Sequence, residues 1–308
     1  MFETLKNVFR VKEMRRKLLY LIWMIFIIRI GCQIPVPGVD SDFFKQWFSS
    51  NAGDAFNFFD AFTGGSFERM SIFALNITPY ITSSIIIQLL TIAIPALEEM
   101  QRDGEEGRKK MTAITRYVTV GLALFESIAM AIGFGRQGMI PDLDFFKGVV
   151  VVACLTAGSA MLMWLGERIT EKGVGNGISI VLTINIISRV PSDLALLYEN
   201  FIKGKTIAKG TLAGLIIAAV ILLVVVLVLI LNGAERRIPV QYSKKMVGRK
   251  LMGGQSTNIP LKVNTAGVIP VIFASSIMSF PTVIAQLTGK GNGTGIGSEI
   301  LRGLSSNN

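Results

Sequence analysis

The sequence predicts an all-α polytopic membrane protein, a bundle of about seven transmembrane helices. Hydrophobic residues make up 51% of the 308 positions, and they come in blocks with the charged residues confined to the gaps. The run 212–231 carries no charge and is long enough to cross the roughly 30 Å hydrocarbon core of a bilayer. A short motif also occurs twice, each time inside an apolar stretch. Blocks of this length are not expected in a soluble domain, whose apolar residues are spread at helix or strand period.

The repeated motif reads aliphatic, x, Pro, x, Ile, x, small, Ser. It occurs at 77–84 and again at 268–275, about 190 residues later. Proline and small hydroxyl residues in such stretches mark helices that are broken or closely packed. If the two copies cross the membrane in opposite directions, they belong to an inverted repeat.

Seven spans are predicted from the apolar blocks. They lie at roughly 18–36, 71–94, 112–134, 148–166, 178–192, 211–232 and 265–287. The fifth is the weakest, because it is short and contains Asn185.

The positive charges orient these spans, because short cytoplasmic loops are rich in Lys and Arg. Basic residues cluster before the first span and after the second, fourth and sixth, whereas 37–70 holds only Lys45 and Arg69 among five acids. The loop 193–210, with three lysines, fits less cleanly. We therefore predict a cytoplasmic N-terminus and antiparallel crossing of the two motif copies. Arg29 is predicted to snorkel toward the outer interface.

The residue types argue against enzymatic chemistry. No histidine occurs, and the two cysteines, Cys32 and Cys154, lie in or beside apolar segments. Histidine-based triads and Cys/His zinc sites are thereby excluded, and no disulfide framework is indicated. The glycine-rich run 173–177 lacks both a preceding strand and a following Gly-Lys-Ser/Thr, so we predict a turn there and not a phosphate site. No catalytic residue, metal ligand or cofactor is predicted.

The chain resembles the SecY family, the central subunits of the bacterial protein-conducting channel. The motifs that carry the resemblance follow one another in the order of the family: RIG at 29–31, IPVPG at 34–38, SIFALNITPYI at 71–81, MWLGE at 163–167, GNGIS at 175–179, QST at 255–257, PLKVN at 260–264 and AGVIP at 266–270. The resemblance implies ten helices in two inverted halves of five. We expect an N-terminal half at 1–192 with spans one to five, and a partial C-terminal half at 193–308 with spans six and seven and the cytoplasmic loop 233–264. Helices eight to ten are expected to be absent.

The resemblance also implies a pore with a seal. Its constriction would be a ring of aliphatic side chains, because a narrow apolar constriction dewets; the matching positions are Ile77, Ile81, Leu182 and Ile272. The segment 54–66 would be a plug, with the residues Phe58, Phe59, Phe62, Gly64 and Gly65, and its glycine pair would be a hinge. Ordinary packing is the alternative for the ring, and an amphipathic turn on the outer membrane surface is the alternative for the plug.

Two further regions take their roles from the resemblance. Spans two and seven would form a lateral gate, with Pro79, Thr82, Ser83 and Gln88 facing Pro270, Ser275, Ser276 and Ser279. Static contacts between helices would use the same residue types. The basic loop would dock the SecA motor and the ribosome through Arg236, Arg237, Lys244, Lys245, Arg249 and Lys250. Loop topology alone explains the sign of this charge but not the length of the loop.

The implied function is translocation of unfolded secretory polypeptides across the bacterial plasma membrane, with release of membrane segments through the lateral gate. The implied partners are SecE- and SecG-like small membrane subunits, the SecA motor, the ribosome, signal sequences with nascent secretory chains, and membrane lipid. A proton- or ion-coupled transporter of small molecules stays open as an alternative, because Glu126 lies within the third span. Against it, Glu126 is the only acid well inside any predicted span. A membrane scaffold would leave the ring and the plug unexplained.

Overall fold

The computed structural model describes most of the predicted helices and part of the basic loop. The described residues are 11–51, 60–136, 138, 140, 144–201, 203, 207–240, 245–247, 250–252, 257–265, 267 and 274. At 47–51, 136, 207–209, 245–247, 250–252 and 257 only the backbone is described. The chain divides into two compact units, the second of which comprises Ser192–Ile272.

Helices dominate both units. They are α1 (Lys12–Gly31), α2 (Ser41–Asn51), α3 (Thr78–Ala93), α4 (Pro95–Arg102), α5 (Gly104–Arg136), α6 (Phe145–Lys172), α7 (Gly177–Phe201) and α8 (Ile207–Gly233). Within the described residues, α5, α6, α7 and α8 are long and apolar enough to cross a membrane. Together α3 and α4 also meet that criterion, but they are bent by 104°. The described chain therefore holds four spans, or five if the bent pair is one span.

The bend between α3 and α4 follows from Pro95. Ile94, the residue before it, is extended (φ −114°, ψ 111°), because a proline disfavours the helical conformation of the preceding residue. Pro95 then opens α4, where its missing N–H is no loss. Close packing follows the bend: a Cβ on Gly107 of α5 would lie 1.7 Å from the Met100 carbonyl oxygen of α4.

Most of the predicted spans are confirmed as helices, with altered bounds. The third to sixth correspond to α5–α8, and the fifth extends well beyond 178–192, to Phe201. The first predicted span corresponds to α1, which ends at Gly31. Because α1 begins among the basic residues that precede this span, it is too rich in charge to count among the four helices that are apolar enough to cross a membrane. The seventh, 265–287, lies outside the described residues except for 265, 267 and 274.

The predicted start of the second span at residue 71 is wrong. Residues 72–77 form turns, and α3 begins only at Thr78, with Pro79 in its first turn. Asn76 has φ +53°, a left-handed conformation that interrupts a right-handed helix. The turns are tied to the chain after α1, because Val36 donates its N–H to the Met70 carbonyl oxygen and Ile72 donates to that of Ile34, both at 3.0 Å.

Two apolar clusters hold the first unit together. In one, Phe44 of α2 packs edge-on against Phe67 and Phe134, with ring centroids 5.9 and 5.0 Å away. The other joins α1, α6 and α7 around Phe73 and Ile77. The segment 67–77 contributes side chains to both clusters, so it is packed against the protein along its whole length.

The second unit contains α8 and two small antiparallel sheets. The strands are β1 (Glu235–Val240), β2 (Lys245–Val247), β3 (Lys250–Met252) and β4 (Thr257–Lys262), and β1 pairs with β4 while β2 pairs with β3. These strands lie within the loop 233–264, for which the sequence predicted no regular structure. The division into an N-terminal half and a partial C-terminal half stays a prediction.

Candidate functional site

A buried polar cluster surrounds the end of the segment predicted to be the plug. Asp60 is 0% exposed and forms an ion pair with Arg189 of α7. Its Oδ1 atom also accepts hydrogen bonds from the Glu68 backbone N–H (2.9 Å) and the Thr63 hydroxyl (3.2 Å). A buried carboxylate is stable only with such partners. The cluster therefore holds residues 60–68 firmly to α7.

Asn76 connects this segment to α6 and α7. Its Nδ2 donates to the Phe62 carbonyl oxygen at 2.7 Å, and its Oδ1 accepts from Nδ2 of Asn185 at 3.0 Å. Its own carbonyl oxygen accepts from the Ser159 hydroxyl of α6 at 3.3 Å. Asn76 is 1% exposed, so these bonds lie inside the protein.

Arg29 extends the cluster to α1. Its Nη1 donates to Oδ1 of Asn185 at 3.3 Å, and the side chain is half-buried. The predicted snorkelling of Arg29 toward the interface stays a prediction, and the structure adds that the guanidinium has a buried partner. Sequence reasoning also missed the roles of Asp60, Asn76 and Arg189. A usable indication was present, since polar and charged residues in or beside apolar spans are functional candidates by default.

The two glycines of the predicted plug have different surroundings. Gly64 (φ +68°) lies against α7, where a Cβ would be 2.5 Å from the Asn185 carbonyl oxygen. Gly65 (φ +81°) has open space around the same position. Phe62 is half-buried, whereas Phe58 and Phe59 lie outside the described residues. The glycine hinge stays a prediction, and the surroundings of Gly64 indicate a packed contact.

Two residues of the predicted ring, Ile77 and Ile81, lie in or beside the second cluster. Ile77 is 0% exposed and packs among Phe73, Leu162 and Leu165, and Ile81 borders the same cluster. Leu182 is half-buried and follows Val181, which belongs to the cluster. Ile272 lies outside the described residues.

The predicted gate residues of α3 lie on different sides of the helix. Pro79 and Ser83 are buried, and the Ser83 hydroxyl donates to the Thr115 carbonyl oxygen of α5 at 2.9 Å. Thr82 is half-buried and Gln88 is exposed. Pro270, Ser275, Ser276 and Ser279 lie outside the described residues. Ser83 therefore anchors α3 to α5.

The predicted docking residues lie on the β-ribbon of the second unit. Arg236 pairs with Leu261 and Arg237 with Pro260, and both arginines are exposed. Because successive strand residues point to opposite faces, the two arginines lie on opposite faces of the ribbon. Lys245 and Lys250 are placed in β2 and β3 by their backbone, and Lys244 and Arg249 lie outside the described residues.

Glu126 is half-buried in α5. Among the described residues, no hydrogen bond or ion pair of its carboxylate is found. The neighbouring Ser127 hydroxyl instead donates to the Ala123 carbonyl oxygen and accepts from Thr156. A proton relay uses several acidic residues. In the described part of α5, the other acids lie in the first turn, far from Glu126.

The matching family model and two curated relatives carry the name SecY. A family model described as SecY matches residues 71–306. The protein translocase subunit SecY of Halalkalibacterium halodurans is 44% identical over 297 residues, covering 94% of this chain and 68% of that protein. Its counterpart in Escherichia coli is 43% identical over 285 residues, covering 91% of this chain and 64% of that protein.

Solved structures share the fold. One described as a protein conducting channel has a TM-score of 0.58 at 18% identity, covering 90% of this chain and 59% of that one. Sec61 in a canine ribosome-channel complex from the endoplasmic reticulum has a TM-score of 0.57 at 19% identity, with the same two coverages of 90% and 59%. The chain thus spans about two thirds of the length of these curated relatives and 59% of that of these solved channels.

Proposed function

The chain belongs to the SecY family, and from that premise we propose that it forms part of a protein-conducting channel. The channel passes unfolded secretory polypeptides across the plasma membrane and releases membrane segments sideways into lipid. The observation that carries the proposal is the buried cluster that seats residues 60–66 directly beside Asn76 and Ile77, where a plug would meet the aliphatic constriction.

The ring works by being apolar and compliant. Ile77, Ile81, Leu182 and Ile272 form the constriction, which holds back water and ions at rest because a narrow apolar passage dewets. Ile81 and Leu182 are half-buried, so part of each side chain is available to a passing polypeptide. Ile77 is fully buried, so among the described residues of the ring it is the one packed most closely against the surrounding helices.

The lateral gate is the seam between α3 and the seventh span. Ser83 and Ile87 pack α3 against its own unit, while Ile85, Gln88 and Ile92 lie on the less buried side. Hydrogen bonds between membrane helices contribute only about 0.6 kcal/mol each on average, so a seam made of hydroxyl and amide groups opens at low cost.

The orientation and the partners follow from the same premise. The N-terminus lies in the cytoplasm, and SecE- and SecG-like small subunits complete the channel in the lipid. The SecA motor or a ribosome delivers the chain. A relative in the fold, Sec61, has been solved in a ribosome-channel complex, which supports the ribosome as a partner.

The proposal is tested by a photo-crosslinking amino acid at Ile81 together with a stalled secretory precursor. We expect crosslinks at Ile81 and none at Ile187, which lies on the same helix as Leu182 but about 140° further round it. The measurement is made in this chain and in one extended by the C-terminal third of a curated relative. If neither chain crosslinks at Ile81, although both are inserted and folded, the translocation proposal is wrong.

A second prediction concerns the two faces of the β-ribbon. Arg237 shares its face with Glu235, Asn258 and Lys262, whereas Arg236 shares its face with Ile238 and Ile259. We propose that ribosomes bind the more polar face. Arg237→Glu is then expected to weaken ribosome binding about fivefold, as for one exposed charge pair, and to lower the salt slope by about 1.

Arg236→Glu is the matched control, because it makes the same change of charge one residue away. Binding is measured by co-sedimentation of ribosomes with the protein in nanodiscs at several salt concentrations. Equal weakening by both variants would show that only net charge matters, and the assignment to one face would fail.

A further inference from the structure

Asn76 occupies the junction between the plug segment and the first turn of α3. It immediately precedes Ile77, whose carbonyl oxygen accepts the N–H groups of Tyr80 and Ile81, each at 3.1 Å. Its side chain reaches the Phe62 carbonyl oxygen at 2.7 Å. One residue therefore joins the start of α3 to the plug segment, covalently on one side and by a hydrogen bond on the other.

The hydrogen bond to Phe62 has little tolerance for movement. A bond of 2.7 Å is lost once donor and acceptor separate beyond about 3.5 Å. Helix shifts of about 1–2 Å are common in conformational transitions, and a shift of that size at the start of α3 is enough to break it.

The other hydrogen bonds of Asn76 connect it to α6 and α7. Its Oδ1 accepts from Asn185 of α7, which also accepts from Arg29, and its carbonyl oxygen accepts from Ser159. When the plug segment leaves, the buried Nδ2 of Asn76 loses its acceptor, which is unfavourable for a group that is 1% exposed. The closed plug and the seated start of α3 therefore stabilise each other.

We propose that Asn76 is a positioning residue that couples the gate to the plug: displacement of the first turn of α3 breaks its bond to Phe62 and favours release of the plug. This inference rests on the proposed function, which supplies the roles of α3 and of residues 60–66. The coupling is reciprocal, so that release of the plug also loosens the start of α3.

The backbone of Asn76 offers a clean variant. Its φ of +53° is tolerated by asparagine and adopted freely by glycine. Asn76→Gly therefore removes both side-chain hydrogen bonds without straining the backbone. Ser83→Ala is the second variant, because it removes the bond that anchors α3 to the Thr115 carbonyl oxygen.

The test measures how fast a membrane-impermeant maleimide labels a cysteine introduced as Ala61→Cys, in the full chain with Cys32 and Cys154 replaced by alanine. We expect Asn76→Gly to raise the rate about fivefold, as for the one lost hydrogen bond that joins Asn76 to the plug segment, and Ser83→Ala to raise it about threefold. In the chain that already carries Asn76→Gly, Ser83→Ala is expected to change nothing further. Ser127→Ala, which removes a buried hydroxyl of α5 elsewhere, is the control and leaves the rate unchanged.

A purely structural role of Asn76 gives a different result. The effects of Asn76→Gly and Ser83→Ala would then multiply, and the coupling would be disproved. If Asn76→Gly does not insert, Asn76→Asp serves in the same comparison, because it keeps an acceptor facing Asn185 and replaces the donor to Phe62 by a carboxylate oxygen, whose buried charge also disfavours the closed plug. The labelling test uses no secretory precursor. Its outcome is therefore independent of the outcome of the crosslinking experiment at Ile81.

Discussion

Replacing Arg189 by glutamine is expected to destabilise the protein by about 3–5 kcal/mol, because the variant leaves a buried carboxylate without its cation. Asp60 is 0% exposed, and the remaining bonds from Thr63 and Glu68 are made by uncharged donors. The expected consequence is loss of the fixed position of residues 60–68 before the helices themselves unfold. The free energy of unfolding is measured by titration with SDS in mixed micelles.

The double variant separates the ion pair from general damage. Adding Asp60→Asn to Arg189→Gln removes the buried charge, so we expect it to recover part of the lost stability. Arg168→Gln is the matched control, because Arg168 pairs with Glu171 at the surface, where an ion pair contributes about 1 kcal/mol at most. A double variant no more stable than Arg189→Gln alone would refute the argument from an uncompensated charge.

The substitution Gly158→Ala is expected to cost about 3 kcal/mol, the upper end of the usual range for overpacking. A Cβ at Gly158 of α6 would lie 2.0 Å from the Ile72 carbonyl oxygen and 2.8 Å from its Cγ2 atom. The added Cβ would clash with a backbone atom, which cannot rotate aside as a side chain can. The backbone of Ile72 is also fixed by the hydrogen bond from its N–H to the Ile34 carbonyl oxygen. The displacement would therefore reach the segment that leads to Asn76 and Ile77.

Gly148→Ala is the control for this prediction, because Gly148 lies in the same helix with nothing within 4 Å of its Cβ position. There the change should stabilise the helix by about 0.5–1 kcal/mol, since alanine loses less conformational entropy than glycine. Opposite signs in the same SDS titration are the expected outcome. Two variants of equal stability would contradict close packing of α6 against Ile72.

Hydropathy was sufficient to predict α5 to α8, because a helix in lipid must be apolar over the full thickness of the membrane. The start of α3 was missed because residues 71–77 are as apolar as the helix that follows, while their conformation depends on Asn76 and Pro79. The ribbon was missed because charge dominated the interpretation of that loop. The spacing of Ile238 and Val240 at every second residue was the available indication of a strand.

The buried polar cluster around Asp60 and Asn76 could not be predicted from the spacing of its residues in the sequence. Its ion pair joins residues 129 positions apart, and the bond between Asn185 and Asn76 spans 109 positions. Each partner alone is a polar residue in or beside an apolar stretch, and only the fold shows which ones meet. The family motifs supplied the candidate ring, plug and gate, and these roles stay predictions.

The bend at Ile94 makes α3 short for a helix in a bilayer. Its 16 residues rise about 24 Å, less than the roughly 30 Å of the hydrocarbon core. On its other side the helix continues into the turns at 72–77, whose backbone is bonded to protein and not exposed to acyl chains. Under the proposed gate, lipid beside α3 would meet an apolar helix shorter than the thickness of the hydrocarbon core, and the bilayer would adapt by thinning. Such thinning would shorten the distance over which a polar flank of a segment leaving the gate must cross hydrocarbon.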